Sequence, residues 1–265
     1  MLILLPPSEG KAAEGDGPAL ADLSFPSLAR PRARVVNALI KASKRRDALD
    51  VLGLSKGQAA ELDRNLALKT AATMPAGQLY TGVLYDNLGL ATLDGEARAR
   101  AEESLVIFSG LWGVLRVGDR VPPYRLSMGV SLPPMGALAA FWRPLVTKEL
   151  DRLPGLAVDM RSATYAGAWK AGARGVAVRV LRDGKVVSHM AKATRGEIAR
   201  SLLLSGADPA RPRRAGQGAR RSGLRRTAGS RQDRRERHLS PNRPLPPRAA
   251  RGLPHHAGRP GHSLS

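Results

Sequence analysis

Short apolar runs alternate with longer amphipathic segments along the first 205 residues, and this pattern predicts an α/β fold. Unbroken apolar runs are typical of strands that are buried on both faces of a sheet. Segments with apolar residues at helical spacing predict helices that cover such a sheet. Strands are expected at 1–5, 105–108, 156–158, 176–180 and 185–190, and helices at 32–45, 55–68, 134–150 and 192–205. We therefore expect a single domain with a mixed sheet and surrounding helices over residues 1–205.

Three local signals refine this pattern. Asp183-Gly184 separates the last two strands and favours a two-residue hairpin turn. Pro144 lies inside the helix expected at 134–150, where its missing N–H predicts a kink or a restart. Tyr80, Leu84 and Leu88 recur at helical spacing, which favours a packed aromatic stripe over a stacking platform for bases.

The last 60 residues differ sharply in composition from the rest of the chain. Residues 206–265 contain 15 Arg, no Lys, three acidic residues and no Phe, Trp, Tyr, Val, Ile or Met, and they contribute +12 of the formal net charge of +21. Such a segment cannot bury enough apolar surface to offset its ordering entropy, so we expect a disordered C-terminal tail rich in Arg, Pro and Gly. The simultaneous loss of Lys and aromatic residues suggests that the tail is an out-of-frame translation. An intact reading frame in closely related strains would contradict that hypothesis.

The composition also excludes several classes of protein. The chain has no Cys, which excludes disulfides, thiol redox chemistry and Cys-based zinc sites. It shows neither a signal peptide nor an apolar stretch of about 20 residues, so we expect a cytoplasmic protein with no membrane partner. Within residues 1–205 the one histidine is His189, and no serine has an identifiable base. We therefore expect no metal site and no cofactor, and we recognise no catalytic constellation.

Cationic side chains follow the predicted strands. Because strand ends gather at one edge of an α/β sheet, these side chains are expected to line a shared crevice that suits the phosphate of a nucleotide or of DNA. The cations of this set are Lys11, Arg116, Arg125, Arg161, Lys192 and Arg195.

The arginines also have a simpler interpretation as halves of ion pairs. Arg116 could pair with Asp119, and Arg125 could pair with Glu9 or stack on Tyr124. For each arginine singly the ion pair is the favoured interpretation, and only the set of cations indicates a site.

Residues 6–11, PPSEGK, form a second candidate for phosphate contact. Gly10 can turn the backbone freely, Ser8 offers a hydroxyl and Lys11 offers a cation. The segment lacks the second Gly and the Lys-Ser/Thr pair of a P-loop. An ordinary turn after a strand is equally compatible with these residues.

Residues 49–66 resemble a helix–hairpin–helix, a module that grips the nucleic-acid backbone through amides at a helix N-terminus. Ser55 stands where that module usually has its second Gly, and Lys56 is placed to meet a phosphate. Ser55 and Gln58 also form a capping-box pattern that predicts the start of a helix. The alternative is an ordinary helix–turn–helix connection without a role in binding.

Residues 109–129, SGLWGVLRVGDRVPPYRLSMG, resemble the hallmark segment of the YaaA peroxide-stress protein family. The family pattern is S-G-L-Y/W-G-x-L/V-R-P-x-D-x-I-P-x-Y-R-L-x-M-G, from which Val117 departs by replacing Pro. The tail departs more strongly from the family pattern. The family continues with a folded ending, whereas this chain has a low-complexity sequence from about Arg211. Further blocks that match the family in order lie at 1–11, 80–85, 141–142, 159–165 and 191–196.

The resemblance implies a single α/β domain of unusual topology that binds double-stranded DNA and includes a helix–hairpin–helix. It also implies a cytoplasmic role in limiting peroxide damage, associated with lowering free intracellular iron. The alternative is an enzyme that acts on a nucleotide or another phosphorylated metabolite in the same cleft. A third possibility is nonspecific nucleic-acid binding by the arginine-rich tail alone. The resemblance transfers no catalytic role to any residue. By motif position, the residues it implies as candidates for a basic cleft are Lys11, Arg116, Arg125, Lys192 and Arg195.

Overall fold

The computed structural model describes residues 1–18, 22–182, 185–186 and 191–207. These residues form a five-stranded mixed sheet with helices around it, which confirms the predicted α/β class. They belong to one compact unit that spans Met1–Gly216. The predicted tail beyond Ala207, the predicted Asp183-Gly184 turn and His189 lie outside the described residues.

The strands are β1 (Leu2–Leu5), β2 (Met74–Pro75), β3 (Leu105–Ser109), β4 (Gly113–Leu115), β5 (Arg120–Val121), β6 (Ser131–Leu132), β7 (Gly136–Ala137), β8 (Ala157–Asp159), β9 (Gly175–Ala177), β10 (Leu181–Arg182) and β11 (Lys185–Val186). The helices are α1 (Ala29–Ser43), α2 (Ala48–Leu52), α3 (Glu61–Leu66), α4 (Ala76–Leu79), α5 (Val83–Leu88), α6 (Gly95–Ser104), α7 (Leu138–Leu150), α8 (Ala163–Ala166) and α9 (Ala191–Ser205). Within the described ranges, no helix is long and apolar enough to cross a membrane.

The main sheet has the strand order β4-β3-β1-β8-β9. β1 lies at its centre because all four of its side chains are apolar and buried, as the unbroken apolar run predicts. β1 runs parallel to β3 and β8, and β9 runs parallel to β8, so their carboxyl ends meet at one edge of the sheet. β4 is antiparallel to β3, and the residues that follow it therefore lie at the opposite edge.

The remaining strands form short two-stranded pairs. β2 pairs with β5, β6 pairs with β7, and β10 pairs with β11, all antiparallel. The register Leu181↔Val186 joins β10 to β11 on either side of Asp183-Gly184, as expected for a hairpin.

The helix α7 packs onto the sheet without interruption at Pro144. The predicted restart at Pro144 is therefore wrong. Pro144 is exposed, whereas Trp142, Val146 and Leu150 on the other side of the helix are buried. This packing compensates for the one backbone hydrogen bond that proline removes. Trp142 also donates its indole N–H to the carbonyl of Gly110, at 2.8 Å.

The helix α9 lies directly against α5 and runs in the same direction. Gly196 makes the close approach possible, since a Cβ at this position would lie 2.3 Å from the carbonyl oxygen of Leu84. One turn further along, Arg200 donates to the carbonyls of Leu88 and Gly89, at 3.0 and 2.9 Å, where α5 ends. The buried Tyr80, Leu84 and Leu88 confirm the packed interpretation of the aromatic stripe.

Candidate functional site

Lys11 ends the loop that follows β1 at the carboxyl edge of the sheet. Its Nζ donates to the carbonyl of Ser8 at 3.0 Å and lies 4.7 Å from the ring centre of Tyr124 and 5.6 Å from that of Tyr80. Burial, followed by the positive charge of Arg125, lowers the pKa of Lys11 from 10.5 to about 8. More of this amine than of an ordinary lysine is therefore uncharged at neutral pH.

Backbone hydrogen bonds hold the loop in place against the segment that precedes α5. The N–H of Thr81 donates to the carbonyl of Gly10 at 3.2 Å, and the N–H of Ala12 donates to that of Leu79 at 2.9 Å. The Ser8 hydroxyl also donates to the carbonyl of Gly10, which closes the turn. Ser8 thus has a local structural role and orients the carbonyl that receives Lys11.

A buried chain of hydroxyl groups lies beneath the amine. The Tyr80 and Tyr124 hydroxyls are 2.9 Å apart, and the Tyr124 hydroxyl is 2.6 Å from the Ser109 hydroxyl. Ser109 Oγ also accepts from the N–H groups of Leu111 and Trp112, at 3.2 and 3.0 Å. Burial raises the pKa of both tyrosines, so both phenols remain protonated at neutral pH.

Arg125 lies beside Lys11 and is fixed through its backbone by α3. The fully buried Asn65 accepts from the N–H of Arg125 at 2.8 Å and donates to its carbonyl at 3.0 Å. The guanidinium contacts the carbonyl and the carboxylate of Glu9, both at 3.3 Å. Glu9 is 86% exposed, so this ion pair is open to water and to exchange for another anion. We name the set Lys11, Tyr80, Tyr124, Arg125 and Glu9 the Lys11 site.

The helix α3 also contributes charge to the Lys11 site. Glu61 and Arg64 form an ion pair at 3.1 Å on this helix. Glu61 raises the pKa of Lys11 and Arg64 lowers it, but burial and Arg125 act more strongly. Sequence reasoning missed Asn65, Glu61 and Arg64, because their approach depends on how α3 packs rather than on a motif.

The segment that resembles a helix–hairpin–helix leads into α3. α2 ends at Gly53, whose φ of 64° is the left-handed conformation that favours glycine. Ser55 donates its N–H to Gln58 Oε1 at 3.0 Å, which is one half of the predicted capping box. The helix predicted from 55 to 68 is wrong in extent, since a 3₁₀ turn at Lys56–Gln58 precedes the separate helix α3. Lys56 is exposed on that turn.

Arg161 is held in the interior at the end of β8. Its guanidinium makes a two-pronged ion pair with Asp159, at 2.9 and 2.7 Å, and donates to the carbonyl of Trp169 at 2.9 Å. It also stacks 4.1 Å from the ring centre of Phe108. Only 1% of the side chain is exposed, so these contacts leave no free face for a phosphate. Arg161 is therefore engaged in internal contacts at the end of β8.

Arg116 and Asp119 lie at the opposite edge of the sheet, because they follow the antiparallel strand β4. The Arg116 guanidinium donates to the carbonyls of Glu103 and Leu105, at 2.5 and 3.2 Å, where β3 begins. Asp119 accepts the N–H of Arg116 at 2.8 Å and both the N–H and the hydroxyl of Ser24, at 2.9 and 2.7 Å. These contacts stabilise the turn and do not bring Arg116 to the Lys11 site.

Lys192 and Arg195 lie in the first turns of α9. The shared direction of α9 and α5 places this end of α9 beside the start of α5, and Thr81, just before α5, contacts Gly10. Lys192 is exposed. Arg195 Nε is buried and has no hydrogen-bond partner among the residues that the structure describes. The contacts of Gly196 therefore place both residues near the start of α5.

The chain is similar to a family of known proteins over most of its length. Residues 1–211 match the family model described as the peroxide stress protein YaaA. A UPF0246 protein of Streptomyces coelicolor is 51% identical over 80% of this chain and 86% of the relative. UPF0246 proteins of Corynebacterium glutamicum and Flavobacterium johnsoniae are 42% and 30% identical, over 77% and 78% of this chain and 86% and 88% of each relative. The chain therefore belongs to the family of the peroxide stress protein YaaA.

Proposed function

We propose that this protein acts in the peroxide-stress response by binding double-stranded DNA at the Lys11 site and at the neighbouring turn around Lys56. The observation that carries the proposal is the approach of Lys11 and Arg125, which come from distant parts of the chain, at the carboxyl edge of the sheet. Membership in the peroxide stress protein family supports the cellular role. We also propose an association with lower free intracellular iron. Measuring the free iron of a deletion strain under peroxide tests this part of the proposal.

The charges around the Lys11 site favour a phosphate backbone as the ligand. The guanidinium of Arg125 is restrained through its backbone, and its partner Glu9 is exposed and can be exchanged for a phosphate oxygen. Lys192 adds an exposed cation in the first turn of α9. Neutralising several phosphates releases counterions, so binding of this kind weakens steeply as salt rises.

The turn around Lys56 is the second element of the proposed interface. Ser55, Lys56 and Gly57 are all exposed, and the Ser55 N–H already donates to Gln58, so the N–H groups of Lys56 and Gly57 and the Lys56 ammonium remain for a nucleic-acid backbone. Gly57 has no neighbouring atom closer than 3.9 Å to an added Cβ, which leaves room for close approach. The same segment continues into α3, which fixes Arg125 through Asn65. This connection supports the inclusion of the turn in the proposed interface.

A titration of duplex DNA at several salt concentrations tests the proposal. The full chain and a chain that ends at Arg211 are expected to bind with the same steep salt dependence. The variant Arg125→Gln is expected to lower the slope of log K against log salt by about 1. Lys148→Gln is the matched control, because Lys148 is exposed on the distant helix α7. Loss of binding on removal of the tail, with Arg125→Gln unchanged, would assign DNA binding to the tail instead.

One observation favours the alternative of an enzyme that acts on a phosphorylated metabolite. Because its pKa is near 8, more of the Lys11 amine than of an ordinary lysine is uncharged at neutral pH and available as a base or nucleophile. A thermal-shift screen with nucleotides and sugar phosphates distinguishes this alternative. Stabilisation by a nucleotide without any binding of duplex DNA would favour it.

A further inference from the structure

The amine of Lys11 is held without a carboxylate partner. Among the described residues, no carboxylate oxygen lies within 4.0 Å of Nζ, because the two nearby acids pair with arginines instead. Glu9 pairs with Arg125 at 3.3 Å, and Glu61 pairs with Arg64 at 3.1 Å. The remaining contacts of Nζ are the Ser8 carbonyl and the faces of two tyrosine rings.

This arrangement makes the charged form of the amine costly and keeps the neutral form available. Burial against the rings removes water from the ammonium, and Arg125 adds a repulsive charge. An uncharged amine is a nucleophile, and aldehydes are the carbonyl compounds with which lysine readily forms Schiff bases. Arg125, whose partner Glu9 is exposed, lies beside it and can bind phosphate.

An amine nucleophile beside phosphate-binding groups suits an aldehyde that carries phosphates. Duplex DNA contains this chemistry wherever a base has been lost, because the opened deoxyribose has an aldehyde at C1′ and a phosphate on either side. We propose that Lys11 Nζ forms a Schiff base with the aldehyde of such an abasic site, so that the surface which binds DNA also reacts with damaged DNA. This inference rests on the proposed function.

The reaction needs no oxidant or reductant. The lone pair of Nζ forms a bond to C1′, and the carbonyl oxygen takes up protons and leaves as water, which produces an iminium. A base then removes a proton from C2′, and the electron pair expels the 3′ phosphate as the C3′–O bond breaks. Water hydrolyses the iminium, which restores the lysine and leaves an unsaturated aldehyde on the cut strand.

Glu9 is the proposed acceptor of the C2′ proton. Its carboxylate binds Arg125 through Oε2 at 3.3 Å, and 86% of its side chain is exposed. The charge of Glu9 also acts on Lys11, so the carboxylate lies close to the reacting amine. Glu9→Gln is expected to keep the formation of the Schiff base but to slow strand cleavage by about tenfold or more.

Trapping with sodium borohydride tests the proposal on the full chain. Borohydride reduces the iminium to a stable amine, so a labelled duplex with one abasic site is expected to become covalently attached to the protein. Proteolysis and mass spectrometry are expected to locate the attachment at Lys11, and its rate is expected to rise with pH toward 8. Lys11→Arg keeps the positive charge and should lower trapping by about tenfold or more. Lys148→Arg, on the exposed face of α7, should leave it unchanged.

Binding to a duplex with a tetrahydrofuran in place of the abasic sugar separates the two proposals, because this analogue has no aldehyde. Binding to the analogue without trapping of the abasic duplex would overturn the Schiff base and leave DNA binding intact. Failure to bind any duplex would overturn both. Attachment at the Met1 amine, or attachment distributed over exposed lysines, would also overturn the assignment. The attachment site is mapped on the natural protein, so this test holds even if the Lys11→Arg variant does not fold. Trapping of free 2-deoxyribose 5-phosphate alone would overturn DNA as the substrate.

Discussion

Lys11 lies over the face of Tyr124, with Nζ 4.7 Å from the ring centre, although the two residues are far apart in sequence. The hydroxyl of the same tyrosine is 2.9 Å from that of Tyr80 and 2.6 Å from that of Ser109. Tyr124 therefore joins the loop after β1, the end of β3 and the start of α5. Its ring contacts the amine of the loop after β1, while its hydroxyl links the end of β3 to the segment that contains Tyr80.

The variant Tyr124→Phe separates these two roles. It keeps the ring beneath Lys11 but leaves the buried hydroxyls of Tyr80 and Ser109 with one partner fewer each. We expect the free energy of unfolding to fall by about 1–3 kcal/mol while the low pKa of Lys11 is kept. Urea denaturation and the pH dependence of amine labelling at Lys11 measure the two effects.

Tyr85→Phe is the matched control for this change. The Tyr85 hydroxyl donates a single bond, to the carbonyl of Pro6 at 2.7 Å. Its removal is expected to cost about 1 kcal/mol. A loss in Tyr85→Phe as large as that in Tyr124→Phe would contradict the connecting role of Tyr124.

The low pKa of Lys11 predicts a specific dependence of stability on pH. The folded pKa is about 8 and the ordinary value is 10.5, so between these values the unfolded state binds more protons than the folded state. Stability should therefore increase with pH across this window, and the full cost of burying the ammonium should be present below pH 8. Urea denaturation of the natural protein and of Lys11→Met at pH 7, 9 and 10.5 measures this contribution. A difference between the two proteins that stays constant over the window would contradict the shift.

The ion pair of Arg161 with Asp159 predicts a large contribution to stability. Arg161→Leu leaves the Asp159 carboxylate without its buried partner and frees the carbonyl of Trp169. We expect the free energy of unfolding to fall by about 3 kcal/mol, because an unpaired charge remains partly buried. Arg45→Leu is the control, since the Arg45–Asp47 pair is 48% exposed on both sides and is expected to contribute little to stability. Equal losses in the two variants would exclude the structural role assigned to Arg161.

From the sequence, the residues of the site could be predicted only where they follow a strand or belong to a motif. The buried runs at β1 and β3 predicted the sheet, and the strand-end rule predicted that Lys11 and Arg125 lie close together. The same rule failed for Arg116, because the antiparallel direction of β4 depends on long-range pairing that no local pattern reveals. Arg161 does follow β8 at the carboxyl edge, but its guanidinium is taken up by Asp159, which stands two residues earlier and so lies on the same face of an extended segment. That spacing is a signal which sequence reasoning could have used.

The close contact at Gly196 predicts that α9 needs a glycine to reach α5. A Cβ there would lie 2.3 Å from the carbonyl oxygen of Leu84 and 3.0 Å from the N of Leu88, and backbone atoms of a packed helix cannot move aside easily. Gly196→Ala is therefore expected to lower the free energy of unfolding by about 1–3 kcal/mol. Helix propensity alone predicts the opposite sign, because alanine is better than glycine in a helix by about 1 kcal/mol.

The same substitution should also weaken DNA binding if the start of α9 belongs to the interface. Pushing α9 away from α5 displaces Lys192, so the affinity for duplex DNA is expected to fall together with its salt dependence. Gly118→Ala is the control for both measurements, since nothing lies within 4 Å of a Cβ at that position. A Gly196→Ala protein that is more stable than the natural one would show that α9 does not pack as closely on α5 as the structure indicates. An unchanged salt slope in a destabilised variant would remove Lys192 from the interface.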